Sequence, residues 1–308
     1  MHKRIISLCL LTVTTLCSCS SKAGITNDSI PNSTTSSSLV EYTNDPKDSN
    51  NDTDKTDKKD KSNTGIDIKS LDTAKLNRTE KNWFFQPKKD GTPAGEPQDI
   101  LNIINKYSAY YLGDTSKKVM YLTFDEGYEN GYTSKILDIL KANDVKAAFF
   151  VTTPYLNTSK DLIKRMVAEG HLVCNHTTNH PSMASVAAKD AGKFENEFIV
   201  LEKAYEDVTG QKMPKYFRPP MGKYSELSLY YTQKLGYKTI FWSFAYNDWD
   251  PKKQPTSDYG KKIIMERSHN GAIVLLHAVS KTNAEILDSV IKEWKSKGYE
   301  LQSLDKLP

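Results

Sequence analysis

A buried strand that ends in two adjacent carboxylates constrains this chain more than any other stretch of its sequence. Residues 119–124 are rich in β-branched and aromatic side chains, and they lead directly into Asp125, Glu126 and Gly127. Two neighbouring carboxylates at the end of a buried strand repel each other and lose solvation, so a fold keeps them only beside a cation or an arginine. The alternative is a turn, or the N-cap of a helix that begins near Tyr132.

Strand and helix patterns alternate from residue 98 to the end of the chain. The predicted strands are 119–124, 146–152, 172–176, 215–218, 238–244, 272–277 and 299–302. The predicted helices are 98–106, 132–143, 159–169, 187–209, 226–235, 257–268 and 283–297, the last preceded by a capping box of Thr282 and Glu285. Strands joined by helices favour an α/β fold with a parallel sheet and right-handed crossovers. Because the sequence has no glycine-rich phosphate loop, a (β/α) barrel is favoured over a doubly wound sheet.

The first residues of the chain predict export. A basic stretch at residues 2–4 precedes an apolar run, 5–16, that is too short for a stable membrane span. A leucine at −3 and a small residue at −1 before Cys19 resemble the bacterial lipobox, in which the cysteine becomes N-terminal and lipidated. We therefore expect a lipoprotein-type signal peptide over residues 1–19 and an extracytoplasmic protein that contacts the membrane only through a lipid on Cys19. Ordinary signal cleavage with a secreted product is the alternative.

Residues 20–81 offer almost nothing that could form a core. Residues 33–38 are only serine and threonine, and residues 44–61 carry six aspartates and five lysines without an apolar side chain. We expect a disordered tether here, with the folded domain over 82–308 beginning at an aromatic cluster, Trp83, Phe84 and Phe85. The net charge of +4 is too mild to indicate nucleic-acid binding. Cys174 is the only cysteine of the body, so no disulfide is expected there, and it is interpreted as core packing.

Titratable residues interrupt the apolar strands only at their C-terminal ends. In a (β/α) barrel these ends converge on one face, where the chemistry takes place. The pattern therefore predicts a catalytic site that also supplies the partners for the two carboxylates. The residues, in strand order, are Asp125 with Glu126, His176 followed by His180, Arg218, Asp248 with Trp249, and His277.

Several of these residues also have a purely structural interpretation. His176 and His180 have a metal-chelating spacing, but isolated pairs of this kind are usually accidental. Arg218 can serve as a structural partner for any carboxylate. His277 can cap the barrel core, although an imidazole beside a carboxylate such as Asp248 is a tunable general acid.

Two further groups of residues are expected at the same face. The prolines of the loop 218–222 stiffen it and are expected to leave the amides of Met221 and Gly222 free to donate. Aromatic side chains that flank the face suit a sugar ring, although aromatics at a barrel mouth are common: Tyr128, Tyr132, Tyr224, Tyr246 and Trp249.

Five ordered motifs resemble those of the polysaccharide deacetylase family, also described as the NodB-homology domain or carbohydrate esterase family 4. The resemblance covers residues 82–308 and implies a distorted (β/α) barrel with about seven parallel strands. Residues 128–133 and 280–285 look like the spore-cortex branch, the peptidoglycan N-acetylmuramic acid deacetylases that lead to muramic δ-lactam. The motifs are 123–127, His176 with His180, 218–222, Asp248-Trp249 and 275–277.

The resemblance implies a role for each site residue. Asp125 becomes the general base, held by Arg218, and His277 the general acid, tuned by Asp248. The implied substrate-binding residues are Trp249 and Leu275 around the acetyl group, the Met221 amide at the oxyanion, and Gly222, Lys223 and Tyr128. The implied ligands of a divalent metal, Zn²⁺ or Co²⁺, are His176, His180 and Glu126.

Two positions depart from the family pattern. Glu126 stands where the family usually has aspartate, which puts the metal geometry in doubt. Met221 stands where arginine is expected in cortex relatives, and Lys223 is the candidate to replace that arginine at the muramic lactyl carboxylate. The expected substrate is peptidoglycan glycan strands. The alternatives are deacetylation of N-acetylglucosamine or an exopolysaccharide, and an inert wall-binding lipoprotein.

Overall fold

A curled sheet of parallel strands organises residues 66–308, the part of the chain that this computed structural model describes. The predicted signal peptide, Cys19 and the tether up to residue 65 lie outside the described residues. The strands are β1 (Lys81–Asn82), β2 (Ala109–Tyr110), β3 (Val119–Glu126), β4 (Ala148–Val151), β5 (Leu172–Asn175), β6 (Tyr216–Phe217), β7 (Lys223–Tyr224), β8 (Lys238–Ile240), β9 (Ala272–His277) and β10 (Glu300–Leu301). The helices are α1 (Gln98–Lys106), α2 (Thr133–Ala142), α3 (Thr153–Thr158), α4 (Lys160–Ala168), α5 (Met183–Lys189), α6 (Ala191–Thr209), α7 (Glu226–Lys234), α8 (Ser257–Glu266) and α9 (Lys281–Ser296).

Seven strands lie side by side in the order β2, β8, β6, β5, β4, β3, β9, and each neighbouring pair is parallel. Strand β10 pairs with the first two residues of β3. The chain after β8 reaches the far end of the sheet, where Ser243 N donates to Ile273 O (3.0 Å) and Leu275 N donates to Phe244 O (2.9 Å). This curled half-barrel confirms the predicted α/β fold, a distorted (β/α) barrel with about seven parallel strands.

Strand β3 is buried on both faces, and its side chains alternate between two cores. Tyr121 packs inside the barrel with Cys174, which is buried and free as predicted. Phe124 faces the surrounding helices and belongs to the larger core between the sheet and those helices. Because successive side chains of a strand point to opposite faces, Asp125 and Glu126 must diverge at the end of this strand.

Two stretches of helix differ from the predicted ones. The predicted helix 187–209 is interrupted at Asp190, whose Oδ1 accepts a hydrogen bond from Lys193 N (3.0 Å) and so caps the start of α6. Helix α3 is not among the predicted helices, and it carries Pro154 in its first turn, where proline is favourable. Among the described helices none is both long and apolar enough to span a membrane.

The predicted capping box before the last helix is wrong. Helix α9 begins at Lys281, and its N-cap is Ser280, whose Oγ accepts a hydrogen bond from Asn283 N (3.1 Å). Thr282 instead donates its hydroxyl to Pro255 O (2.6 Å). The helix thus starts earlier than the apolar spacing of its buried face indicates.

The boundary predicted at residue 81 for the end of the tether is too late. Ile68 is fully buried in a cluster with Phe194 of α6, and Leu71 and Leu76 pack against the same cluster. These apolar residues are scattered through a polar stretch without a clear period, so only the tertiary structure shows that they pack. The folded part of the chain therefore begins before Ile68.

Candidate active site

The C-terminal ends of the parallel strands surround a cavity of about 670 Å³. As the sequence predicted, Asp125, His176 and His277 meet there. Asp125 and His277 are register partners in the β3–β9 pair, so the two side chains stand on adjacent strands. The other lining residues are Phe85, Gly127, Tyr128, His180, Pro219, Met221, Trp242, Ala245, Tyr246, Asn247, Trp249, Leu275 and Val279.

The negative charge of Asp125 is compensated by a buried arginine, as the sequence predicted. Arg218, fully buried, donates from Nη1 to Asp125 Oδ1 (2.8 Å) and from Nε to Ile240 O (3.1 Å). Its guanidinium also lies over the ring of Phe150, 4.2 Å from the centroid. Burial by itself raises the pKa of Asp125, but Arg218, with smaller help from nearby imidazoles, lowers that pKa below its ordinary value. Asp125 is therefore a carboxylate at neutral pH, as a general base must be.

The pKa of His277 is shifted in the opposite direction, above its ordinary value. Its Nδ1 and Asp248 Oδ1 are 2.7 Å apart, and its backbone N donates to Asp248 Oδ2 (2.8 Å). Burial disfavours the imidazolium, but the Asp248 carboxylate outweighs it and raises the pKa of His277. Because Nδ1–H is directed at Asp248, Nε2 is the nitrogen left for the cavity. The ring is thus arranged as a proton donor.

Asn283 is a site residue that the sequence reading missed. Its Nδ2 donates to Asp248 Oδ2 (2.6 Å) and to His277 O (3.1 Å), while its Oδ1 accepts from the hydroxyl of Tyr246. Asn283 is fully buried. The one available signal is that a polar amide sits on the otherwise apolar face of α9. It orients Asp248, which in turn orients His277.

The two predicted metal-binding imidazoles are close together, with ring centroids 4.8 Å apart. His176 Nδ1 donates to Arg218 O (2.8 Å), which leaves Nε2 unprotonated in the neutral ring and 3.6 Å from Asp125 Oδ2. Burial lowers the pKa of His176 to about 4, so the ring is neutral at pH 7. This tautomer suits metal ligation.

Glu126, the third predicted ligand, lies elsewhere. It is fully buried on the helix side of β3, where its Oε1 accepts from Thr133 Oγ1 (3.2 Å), and it does not line the cavity. Burial, reinforced by Glu129 and Asp125, raises its pKa well above the ordinary value. The predicted role of Glu126 as a metal ligand is wrong, because the period of two in a strand turns it away from the imidazoles.

The described residues fit a three-ligand metal site only in part. The site offers two imidazoles, one with a free Nε2, but its expected carboxylate points to the other face of the sheet. Within residues 66–308 no group of three or more His, Cys, Asp or Glu side chains is arranged to hold a metal ion. The chemistry of the site therefore has to be derived from its protein groups.

The loop after Arg218 differs from the prediction in one of its two amides. Gly222 N donates to Pro219 O (3.0 Å), so this amide is not free. Met221 lines the cavity with a left-handed φ of 58°. Such a backbone costs a residue other than glycine roughly 1–2 kcal/mol. The Met221 amide is the one left for an oxyanion.

The predicted substrate-binding residues divide into two groups. Trp249, Leu275 and Tyr128 line the cavity, and Trp249 and Tyr128 are exposed enough to meet a large substrate. Lys223 instead lies in β7, where its Nζ is 2.8 Å from Glu80 Oε1, and it does not line the cavity. The structure contradicts the prediction that Lys223 meets a substrate carboxylate, because Glu80 already neutralises it.

The fold and the site define a class of hydrolase in which a carboxylate base and an imidazole acid face one cavity at the mouth of a (β/α) barrel. Comparison with known proteins narrows this class. The sequence model of the polysaccharide deacetylase family matches residues 112–240. The chain is 42% identical over 226 residues to the peptidoglycan-N-acetylmuramic acid deacetylase PdaA of Bacillus subtilis, covering 73% of this chain and 85% of that protein.

Two further comparisons agree. The solved structure of Bacillus subtilis PdaA, described as a family 4 carbohydrate esterase, has a TM-score of 0.72, 41% identity, and coverage of 75% of this chain and 97% of that one. A peptidoglycan-N-acetylglucosamine deacetylase of Bacillus cereus is 29% identical over 230 residues, 73% of this chain and 80% of that protein. The chain belongs to the polysaccharide deacetylase family, carbohydrate esterase family 4. The family and the enzyme class predicted from the motifs are thereby confirmed.

Proposed function

We propose that this chain hydrolyses the N-acetyl group of N-acetylmuramic acid residues in peptidoglycan glycan strands. The observation that carries the proposal is that Asp125, held by Arg218, and His277, held by Asp248, stand on adjacent strands in one cavity. The opposite pKa biases of these two groups provide a base and an acid at the same pH. The similarity to PdaA supplies the substrate class.

An amide is a poor electrophile, so attack by water needs a base and a stabilised oxyanion. Asp125 takes a proton from the water as the water oxygen bonds to the carbonyl carbon. The amide of Met221 donates to the oxygen that becomes negative, and removal of one such donor costs roughly 10²–10³-fold in rate in comparable sites. Leu275 and Trp249 enclose the methyl end of the acetyl group.

Collapse of the tetrahedral intermediate breaks the bond between the carbonyl carbon and the nitrogen. His277 Nε2 donates its proton to the departing nitrogen, so that acetate and a free amino sugar are the products. Asp248 stabilises the imidazolium before this step, and Asn283 holds Asp248 in place. On a muramic acid residue the free amine stands near the lactyl carboxyl group, with which it can condense to the δ-lactam of spore cortex.

A bound Zn²⁺ or Co²⁺ in a deacetylase supplies Lewis acidity and lowers the pKa of a bound water. In this chain His176 and His180 are the residues available to hold such an ion, while Glu126 is not. The imidazoles also line the cavity in their own right, next to the base. They therefore serve equally as groups that position the water or the substrate.

The location follows from the substrate. Peptidoglycan lies outside the cytoplasmic membrane, so we place the enzyme there, anchored through a lipid on Cys19. Fractionation of a Cys19→Ala variant tests the anchor. Release of the protein from the membrane supports lipidation, and unchanged fractionation supports ordinary signal cleavage.

Deacetylation of N-acetylglucosamine is the alternative activity, supported by the similarity to the Bacillus cereus enzyme. Within residues 66–308 no lysine or arginine lines the cavity, so the preference for muramic acid rests on the stronger similarity to PdaA. Mass spectrometry of muropeptides after incubation of glycan strands with the purified protein distinguishes the two. Loss of acetyl from muramic acid supports the proposal, and loss confined to glucosamine contradicts it.

A further inference from the structure

The N-terminal segment 80–85 lies outside residues 112–240, which the sequence model of the family matches, yet it contacts the loop that carries the oxyanion amide. Its strand β1 pairs antiparallel with β7, the strand that directly follows this loop. Trp83 N donates to Gly222 O (2.8 Å). A salt bridge between Glu80 and Lys223 also joins this segment to β7. The segment is therefore bonded to the residue next to Met221.

The Met221 loop needs such support. Met221 and Gly222 both have a left-handed backbone, with φ values of 58° and 66°. A residue other than glycine persists in this conformation only where its surroundings fix it. A Cβ added to Gly222 would lie 3.0 Å from Trp83 Cβ and 3.0 Å from the ring of Trp242, so the two tryptophans occupy the space on that side. The loop is therefore held between Trp83 and Trp242.

Trp83 is itself fixed to the barrel. Its ring stacks on Phe241 with centroids 4.2 Å apart, and its Nε1 donates to Trp242 O (2.9 Å). Phe241 and Trp242 directly follow strand β8, which belongs to the sheet. Trp83 thus connects the sheet to the Met221 loop, so that the position of the loop depends on that of the sheet.

The same segment also contributes to the cavity wall. Phe85 lines the cavity together with Met221 and Trp242, whereas its neighbour Phe84 is 67% exposed and does not line it. An aromatic ring at the cavity wall can stack on the apolar face of a pyranose. Phe84 and Phe85 therefore differ in whether the ring lines the cavity, where it can contact a substrate.

We propose that the segment 80–85 is a working part of the active site. Trp83 is a positioning residue that sets the Met221 amide for the oxyanion, and Phe85 is a specificity-determining residue that stacks on a sugar ring of the bound glycan. This inference rests on the proposed deacetylase function and on the Met221 amide as its oxyanion donor. It adds two residues that none of the five family motifs contains.

A matched pair of tryptophan variants tests the positioning role. Trp83→Phe removes the indole donor to Trp242 O, and Trp294→Phe removes a comparable donor to Ser268 Oγ (2.6 Å) in the core behind α9. Both should lower the midpoint of thermal unfolding by similar amounts. Only Trp83→Phe should lower kcat, by about fivefold or more with KM within twofold. It should weaken binding of a phosphonamidate, which mimics the tetrahedral anion, by the same factor, while product binding stays unchanged.

Equal losses of kcat per folded molecule in Trp83→Phe and Trp294→Phe would overturn the positioning role. For the cavity wall, Phe85→Ala should raise KM for an N-acetylated glycan about fivefold with kcat within twofold, and Phe84→Ala should leave both within twofold. Equal effects of the two alanine variants would overturn the role of Phe85. Calorimetric binding of the same glycan gives a second readout: a wild-type protein that binds but releases no acetate counts against the proposed function, while the binding comparison still decides the role of Phe85.

Discussion

Asp125 and Glu126 are neighbours in the chain, yet the two faces of strand β3 give their carboxyl groups opposite environments. On the cavity face, Arg218 donates to Asp125 and keeps its pKa low. On the helix face, Glu126 Oε2 has no hydrogen-bond partner among the described residues, and burial raises its pKa. Glu129 Oε2 and the Tyr155 hydroxyl, near Glu126, are also buried without a partner in this part of the chain.

The comparison teaches that the partner, and not the residue type, decides what a buried carboxyl group can do. An ionised carboxylate in a low-dielectric site needs a fixed cation, and such a carboxylate can then accept a proton during catalysis. A carboxyl group without a cation keeps its proton and acts as a neutral polar group. The two carboxyl groups of the Asp-Glu pair therefore have pKa values shifted in opposite directions although they share one motif.

The largest expected effect comes from Asp125→Asn, with Glu126→Gln as the matched change on the other face. An amide cannot accept the proton of water, so Asp125→Asn should lose about 10²–10⁴-fold in acetate release at all pH values. It also leaves Arg218 buried without its carboxylate, which should destabilise the fold by about 3–5 kcal/mol. Glu126→Gln should keep its activity within about threefold. Comparable losses in the two variants would contradict the division of roles between the faces.

The next effect concerns the acid on the adjacent strand. His277→Ala should lose on the order of 10²–10³-fold in kcat, because the leaving nitrogen no longer receives a proton. In the wild type, kcat/KM should fall at low pH as Asp125 is protonated and at high pH as His277 loses its proton. The high-pH fall should disappear in His277→Ala. A variant that keeps the wild-type rate and profile would exclude His277 as the acid.

A smaller effect is expected when the partner of the acid is changed. Asp248→Asn removes the charge that raises the pKa of His277, so the high-pH fall in kcat/KM should move to lower pH. The loss of kcat should be on the order of 10-fold to 100-fold, less than for loss of the imidazole itself. A pH–rate profile of the folded variant measures both. An unmoved high-pH limb would show that Asp248 does not tune His277.

The residues on the two faces of β3 should also differ in how much they contribute to metal binding. Because His176 and His180 lie at the cavity and Glu126 does not, His176→Ala should weaken Zn²⁺ binding by at least about 10-fold, as expected for loss of one ligand of a small set. Glu126→Gln should leave Zn²⁺ affinity unchanged. Isothermal calorimetry with Zn²⁺ on the purified variants measures this directly. A loss of affinity in Glu126→Gln would restore Glu126 as a ligand.

The smallest effect concerns stability against pH. Because the folded-state pKa of Glu126 is raised, its stabilising contribution is complete below the ordinary glutamate pKa of about 4.3 and is lost as pH rises towards the raised value. Glutamine cannot ionise, so Glu126→Gln should gain stability relative to the wild type as pH rises through this window. Each unit of raised pKa corresponds to about 1.4 kcal/mol. Urea unfolding at pH 4 and pH 8 measures it, and a constant difference between the two proteins would contradict the raised pKa.

The sequence by itself determined the fold class and the residues that meet at the mouth of the barrel. Asp125 with Arg218 and Asp248 with His277 form the two pairs that the resemblance to the family implied. Strands that end in titratable residues and alternate with helices predicted a barrel whose mouth holds these four side chains. This succeeded because the ends of parallel strands converge whatever the details of the helices. The same reasoning correctly placed Tyr128 and Trp249 at the cavity, and Leu275, which the resemblance implied, also lines it.

Only the tertiary structure decided which face each side chain occupies and which distant segments complete the site. Glu126 was misplaced because a motif gives the order of residues, whereas the pleat of a strand fixes their directions. Lys223 forms a salt bridge with Glu80, and Asn283 donates a hydrogen bond to Asp248. Both contacts join elements that are far apart in the chain. The sequence around Trp83 and Ile68 has no periodic pattern that predicts their contacts. Their partners lie on other elements, which only the folded chain brings within reach.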